Sequence, residues 1–486
     1  MRRKFFALAL TSTFFAPLAG CTVGRDFIAP DSGLPDKAFV AGASASAPNP
    51  DWWNAFRDPA LTALIHEVAS ANLDVQTATL RVAESRFERG VTAAAQFPQL
   101  NGDAKSTREQ YSKNGIVSLI GGLAPGGFSV PPITENYVGF DASWELDLWG
   151  HVRRQVEAAN AQVEVSEDQR RDALLSLFAE TARDYIQLRG IQVQIGVVRD
   201  NLRVAQDIVK LTRERQAKGM QSALDSENAT SQLESYRAQL PPLEQQESEL
   251  VNALSFLIDQ PPGALKARLG QPRKSPLTVS SVPTGVASDL ARRRPDIRAA
   301  EAQLHAATAQ TGVAVAAFYP TVTLNGNVGF DSLNTYNLFR ASSLQYNFGP
   351  SVSLPIFNGG RLQSTVDLRE AQQQEAAIGY RKTVLRAWHD VVNALVALRL
   401  EKQRFARLSE QLTHARNASD IARTRYRDGV TEFINVLDTE RTALTAEQQL
   451  AQSATTLGVN HVQLYKALGG GWESEFPATE PAATAQ

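Results

Sequence analysis

The stretch from Asp74 to Pro98 returns 222 residues later as Asp296 to Pro320, and the stretch from Gly139 to Leu240 returns 210 residues later as Gly349 to Leu450. The chain must therefore use one architectural unit twice. Gly90 and Phe97-Pro98 stand against Gly312 and Tyr319-Pro320 in the first echo, and Gly139, Gly150 and Gly219 against Gly349, Gly360 and Gly429 in the second. The offsets differ by 12, which places one insertion inside the Gly- and Pro-rich run Ser112 to Thr134. Each copy reads as helix, strand pair, very long helix, turn, helix.

Arg2, Arg3 and Lys4 precede the apolar stretch Phe5 to Phe15, the pattern of an export signal. It ends in Leu18-Ala19-Gly20-Cys21, and Cys21 is the only cysteine, so a disulfide framework within the chain is excluded. The tetrapeptide resembles the bacterial lipobox, in which the Cys is lipidated and becomes the first mature residue; the alternative is cleavage near Ala19 with an idle thiol. Among bacterial lipoproteins, Thr22 in place of Asp implies onward sorting to the outer membrane. The remaining sequence has no apolar run long enough for a membrane-spanning helix. With 49 basic and 51 acidic residues it has no global cationic field, so nucleic acid is not an expected partner.

From Tyr137 to Leu148 the sequence alternates, with Val138, Phe140, Ala142, Trp144, Leu146 and Leu148 on one face and Gly139, Asp141, Ser143, Glu145 and Asp147 on the other. Leu100 to Thr107 is its expected partner. The second copy repeats the pair with Val322, Leu324, Val328 and Phe330, then Phe348, Val352, Leu354 and Ile356. Four strands of about 10 residues suit a tilted transmembrane wall. The same pattern also suits a soluble sheet packed on a core. In lipid, two hairpins cannot close a barrel, and an open edge leaves N–H and C=O groups without partners. Three chains would give 12 strands, with the loop Ser112 to Thr134 outside the cell.

His151 to Lys218 contains no Pro, and its heptad positions hold Leu174, Leu188, Ile195, Leu202 and Val209 with Leu177, Ile191, Val198 and Ala205. The second copy holds Val384, Val391, Leu398, Phe405 and Leu412 in the same register. A continuous helix of this length extends roughly 100 Å. Gly219 and Gly429 are placed to end the long helices, with return helices from about Ser222 and Glu432. Arg292, Arg293 and Arg294 precede a helix starting near Pro295 and read as a solvated cluster rather than a binding patch.

These residues resemble the bacterial outer-membrane efflux proteins, the TolC-like family, and within it the NodT-type lipoproteins of RND multidrug efflux systems. The resemblance covers essentially the whole mature chain. It is carried by Asp51-Trp52-Trp53-Asn54-Ala55-Phe56-Arg57-Asp58-Pro59, Arg293-Arg294-Pro295-Asp296-Ile297-Arg298-Ala299-Ala300-Glu301, Tyr319-Pro320, Leu354-Pro355-Ile356-Phe357-Asn358-Gly359-Gly360-Arg361, and Arg425-Tyr426-Arg427-Asp428-Gly429 with Val436-Leu437-Asp438. It implies a mixed α and β membrane protein, a homotrimer whose 12-stranded barrel is continued by a periplasmic helical coiled-coil barrel. It also implies a passive duct in the outer-membrane lipid, docked by a periplasmic adaptor and fed by an inner-membrane RND-type pump, with no cofactor.

On this resemblance Ile434 and Asp438 form an apolar and an acidic ring at a periplasmic gate. Arg441 then offsets the repulsion among three Asp438 carboxylates across the hairpin interface; the alternative is a surface pair on one helix. In the first copy the counterpart of Asp438 is Asn228. The tips at Gly219, Met220, Gly429 and Val430 are the expected adaptor contacts. The organisation expected is a signal peptide 1–20, a lipidated segment 21–58, a first repeat 59–263, an equatorial linker 264–287, a second repeat 288–468 and a tail 469–486. Two other readings stand beside the efflux duct: the outer-membrane part of a type I protein secretion system, and a lipid-anchored coiled-coil spacer without a pore. No phosphate loop, zinc helix or nucleophile elbow points to an enzyme, and with Met1 and Met220 the only methionines there is no soft-metal ligand cluster.

Overall fold

The computed structural model describes residues 22–35, 49–112, 131–220, 222–271 and 285–473. The expected signal peptide, Cys21, most of the inserted loop, and much of the expected linker and tail lie outside the described residues. The helices are α1 (Pro59–Ala71), α2 (Leu73–Ala94), α3 (His151–Ala217), α4 (Ala223–Leu257), α5 (Pro295–Ala316), α6 (Arg361–Arg427) and α7 (Phe433–Leu468), together with one-turn pieces. The strands are β1 (Gln99–Glu109), β2 (Ile133–Leu146), β3 (Thr321–Ser332) and β4 (Leu344–Ser353). The duplication is visible in the element ends. α2 and α5 are both 22 residues long and start at 73 and 295, while α3 and α6 are both 67 residues long and start at 151 and 361.

Two compact units emerge, each built from both copies. The first comprises Met1–Ala29, Ala83–Glu164 and Ala302–Ile378, and the second Pro30–Val82, Val165–Glu301 and Gly379–Gln486. In the first, the strands form one antiparallel sheet of order β1-β2-β3-β4. The register lines up Leu100, Ala142, Gly326 and Phe348 in one row and Gly102, Phe140, Val328 and Tyr346 in the next, all on one face. Asn101, Asp141, Asn327 and Asn347 form a row on the other face, as do Gln99, Ser143, Asn325 and Gly349. Alternation in sequence thus becomes an apolar and a polar side. Where Gly139 faces Gly329, the Tyr137 ring lies so close that a Cβ on Gly329 would meet it at 2.8 Å.

The expected strand limits shift. β2 ends at Leu146, because the Asp147 carboxylate turns to accept the Arg153 backbone N–H at 2.8 Å, at the start of α3. β4 ends at Ser353, so Leu354 and Ile356 fall outside it; Pro355 between them has no N–H for a ladder. At the same end of the sheet, Trp149 stacks on Tyr319 with centroids 5.0 Å apart and donates to the Pro320 carbonyl at 2.9 Å. Trp144 donates to the Gln96 carbonyl at 3.0 Å. Indole and phenol rings at strand ends match the aromatic girdles of membrane barrels.

In the second unit, Trp52 and Trp53 are fully buried; Trp52 stacks on Tyr465 and Trp53 meets Phe178 edge-on. Asp58 caps α1 by accepting from the Ala60 N–H at 2.9 Å, with Pro59 in the first turn. Its other oxygen accepts from the Tyr185 hydroxyl at 2.6 Å, and burial pushes that phenol up to about 12. Arg189, also fully buried, stacks on Tyr185 and donates to the carbonyls of Leu269 and Gln271 at 3.0 and 2.9 Å. The reading of Arg292 to Arg294 as solvated fails for Arg294. That guanidinium is buried against Asp296, Asp390 and the Ala467 carbonyl, where it ties α5 to α6 and α7.

Candidate functional site at the hairpin tips and the open sheet

Both long helices end in the same motif. Gly219 has φ +70° and Gly429 φ +76°, a conformation open to Gly at little cost. The Gly219 N–H donates to Gln216 at 2.9 Å and the Met220 N–H to Arg215 at 2.9 Å; Gly429 donates to Tyr426 at 3.0 Å and Val430 to Arg425 at 2.8 Å. These are paired Schellman closures. The residue after the Gly normally packs back on its own helix, yet Met220 and Val430 are both largely exposed. An apolar side chain held outward at a rigid tip is suited to another surface. Arg215 adds a tie between the tips, with its guanidinium over the Tyr426 ring and donating to the carbonyls of Tyr426 and Arg427.

Beyond the second tip, Ile434 and Asp438 lie one turn apart on an exposed face of α7. Leu224, the first-copy counterpart of Ile434, is bare as well, a correspondence that the 210-residue offset carries in the sequence. Arg441 donates to the Gln232 amide oxygen on α4 at 2.6 Å rather than to Asp438. Within one chain it therefore fastens one hairpin to the other.

A second group near the tip was not apparent from spacing. Glu440 is buried on α7 and accepts from Arg423 of α6 at 2.6 Å. Burial raises its pKa and the Arg423 charge pulls the other way. The Tyr236 hydroxyl of α4 is pushed up by burial and then by the Glu440 charge. In the first copy the corresponding positions hold Arg213 and Thr230, so this acid too belongs to one copy alone. The available signal was a Glu on the apolar side of α7, between Leu437 and Leu444.

The sheet is incomplete in a single chain, since β1 and β4 each pair on one side only. Among the described residues no helix is long and apolar enough to cross a membrane. The apolar sheet face exposes Leu100, Phe140, Tyr346, Phe348 and Val352 to the surroundings. Such a face with two free edges is stable in lipid only when further strands complete the ring.

Comparison with known proteins decides the family. The sequence profile of the outer membrane efflux protein family matches residues 64–259 and 286–470. The chain belongs to that family. It is 32% identical over 92% of its length to the pyoverdine export outer membrane protein OpmQ of Pseudomonas aeruginosa, covering 93% of that protein. It is 30% identical over 96% of its length to the probable outer membrane lipoprotein SilC of Salmonella typhimurium, covering 99% of it. Among solved structures the outer-membrane channel OprN superposes with a TM-score of 0.85 at 32% identity, covering 93% of this chain and all of that one. As an outer membrane efflux protein, the chain supplies four strands to a trimeric β-barrel that is continued by helices into the periplasm. It is the outer-membrane channel component of an efflux system.

Proposed function

We propose that this chain is a passive, lipid-anchored duct that takes small molecules from an inner-membrane RND-type pump through a periplasmic adaptor to the exterior, with its gate at the hairpin tips. The observation carrying this reading is the open four-stranded sheet, apolar on one face and polar on the other, whose strands run within a few residues into 67-residue helices. A duct needs a wet inner wall and a lipid-facing outer wall, and no energy-transducing site. Cys21 carries the lipid. Ile434 and Asp438 form the constriction, Arg441 holds the hairpins together through Gln232, and Met220 and Val430 at the Gly219 and Gly429 turns meet the adaptor. The repeats 59–263 and 288–468, joined by the linker 264–287, are the two halves of each chain's contribution.

A photo-crosslinking residue at Val430, activated in cells, tests the partners. Mass spectrometry of the captured complex is expected to find a periplasmic adaptor and its pump, and an N-terminal peptide bearing lipid on Cys21. Capture of neither above the level seen with the crosslinker at exposed Arg407, far from the tip, contradicts the docking assignment.

A further inference from the structure

Within the second unit, α7 touches α3 where Gly458 lies against Ile186, and it touches α6 where the Ser453 hydroxyl donates to Glu401 at 2.5 Å. A cavity of about 410 Å³ opens beside these contacts, toward the small end of the roughly 300–1,000 Å³ of small-molecule sites. Asp172 of α3, Asp390 of α6, Lys466 of α7 and Arg294 line it, two negative and two positive charges. One pair is satisfied inside the fold: Arg294 donates to Asp390 at 3.3 Å and to both oxygens of Asp296. The other pair is not. Asp172 and Lys466 are both half-buried, and among the described residues neither makes a hydrogen bond or an ion pair, with the other or with a third group. Burial and then the Asp296 charge push the Asp172 carboxyl up, while Lys466 and Arg294 pull it down without touching it. A half-buried carboxylate that lacks a donor carries a desolvation cost that an arriving ammonium relieves.

Three amides complete the polar set. Asn393 of α6 and Asn460 and Gln463 of α7 line the cavity, and among the described residues none of the three side chains bonds within the chain. Each offers both donors and an acceptor. The rest of the lining is apolar, with buried Leu175 and Ala467 and the small Ala394 and Ala397. Helix formation does not require this set: at the 210-residue offset Asp172, Asn460, Gln463 and Lys466 are matched by Lys382, Leu250, Ala253 and Phe256, and α4 and α6 form with those residues instead. The cavity also lies away from the exposed apolar stripe Leu385, Val392 and Val396 of α6. At 3.6 residues per turn, Asp390, Ala394 and Ala397 fall on nearly the opposite side of that helix.

We propose that this cavity binds a small zwitterion of the amino-acid class, with its ammonium on Asp172, its carboxylate on Lys466 and its apolar part against Leu175 and Ala467. A ligand of single charge leaves one of the two protein charges unmet, whereas a zwitterion meets both and keeps the lining neutral. The bound molecule ties α3 to α7. This site goes beyond the duct reading and does not depend on it.

Saturation-transfer NMR on the purified protein in detergent micelles tests the site. The probe is L-leucine, compared with leucinamide, which keeps only the ammonium, and 4-methylpentanoate, which keeps only the carboxylate. Leucine is expected to give a saturable signal at least fivefold above either relative at equal concentration. Asp172→Asn and Lys466→Met each reduce it at least fivefold, and Arg407→Ala, at an exposed position elsewhere on α6, leaves it unchanged. Leucine also raises the Tm of the wild-type chain and leaves that of Asp172→Asn where it was. Equal signals from the three compounds, or a leucine signal that survives both substitutions, overturn the assignment. Should a variant fail to fold, the three compounds on wild-type protein decide alone: preference for leucine supports the site, and no preference overturns it. A protein that conducts in planar bilayers and does not bind leucine overturns this site and leaves the duct reading intact.

Discussion

Asp438 and Glu440 stand two residues apart on α7 and end in opposite surroundings, one exposed and one buried against Arg423. At 100° per residue, two positions nearly reverse the direction of a side chain. A spacing rule could therefore locate Asp438 on an outward face, but it could not show that α6 supplies a guanidinium to Glu440, because Arg423 lies on another helix. Arg294 teaches the same lesson: three consecutive arginines look solvated until the helices holding Asp390 and Ala467 close over one of them. Because burial raises the pKa of Glu440, its contribution to stability is complete below about 4.5, the ordinary value for a Glu, and is lost as pH rises through the raised folded value. Relative to Glu440→Gln, the wild-type chain is expected to lose thermal stability between pH 4 and pH 7, read from helical circular dichroism. A Tm difference that does not change with pH, or that changes in the opposite sense, contradicts this assignment. Arg423→Ala leaves the carboxylate buried without its partner and is expected to cost about 1–3 kcal/mol at pH 7.

At the scale of elements, the heptads and alternations specified most of what forms. The long helices end at Ala217 and Arg427, one residue before the expected limit in the first copy, and Gly219 and Gly429 close both. Strand existence and facing were legible because a period of two resists a one-residue slip. Strand ends were not, because they depend on Asp147 capping α3 and on Pro355. Sequence rules also mark Pro241-Pro242 as a helix breaker, yet α4 runs through both. The carbonyls left without donors belong to Arg237 and Ala238, on exposed turns where water can serve them. The facing of the sheet makes a sharp prediction. Phe348→Arg places a charge on the lipid side and is expected to cost about 2–4 kcal/mol if near the bilayer midplane. Asn347→Arg, one residue away on the polar side, is expected to be nearly neutral. Heat-modifiability of the trimer on gels separates the two, and equal loss in both reverses the facing.

For the whole molecule, the duplication explains why one chain is insufficient. Two strand hairpins and two helical hairpins each leave two free sides, and a copy of the same chain is the surface that fits both. The copies diverge at the acids Asp438 and Glu440 against Asn228 and Thr230 and in the loop inserted between β1 and β2. The family was legible from ordered motifs, whereas the hairpin ties at the tip required the fold. The central claim, a trimeric duct closed at the hairpin tips, is tested most directly by single-channel recording in planar bilayers. Wild-type protein is expected to show small, rarely open conductances, and Asp438→Ala a severalfold larger one as the acidic ring is removed. Identical conductance in the two proteins removes Asp438 from the gate, and no channel activity in either contradicts the duct itself.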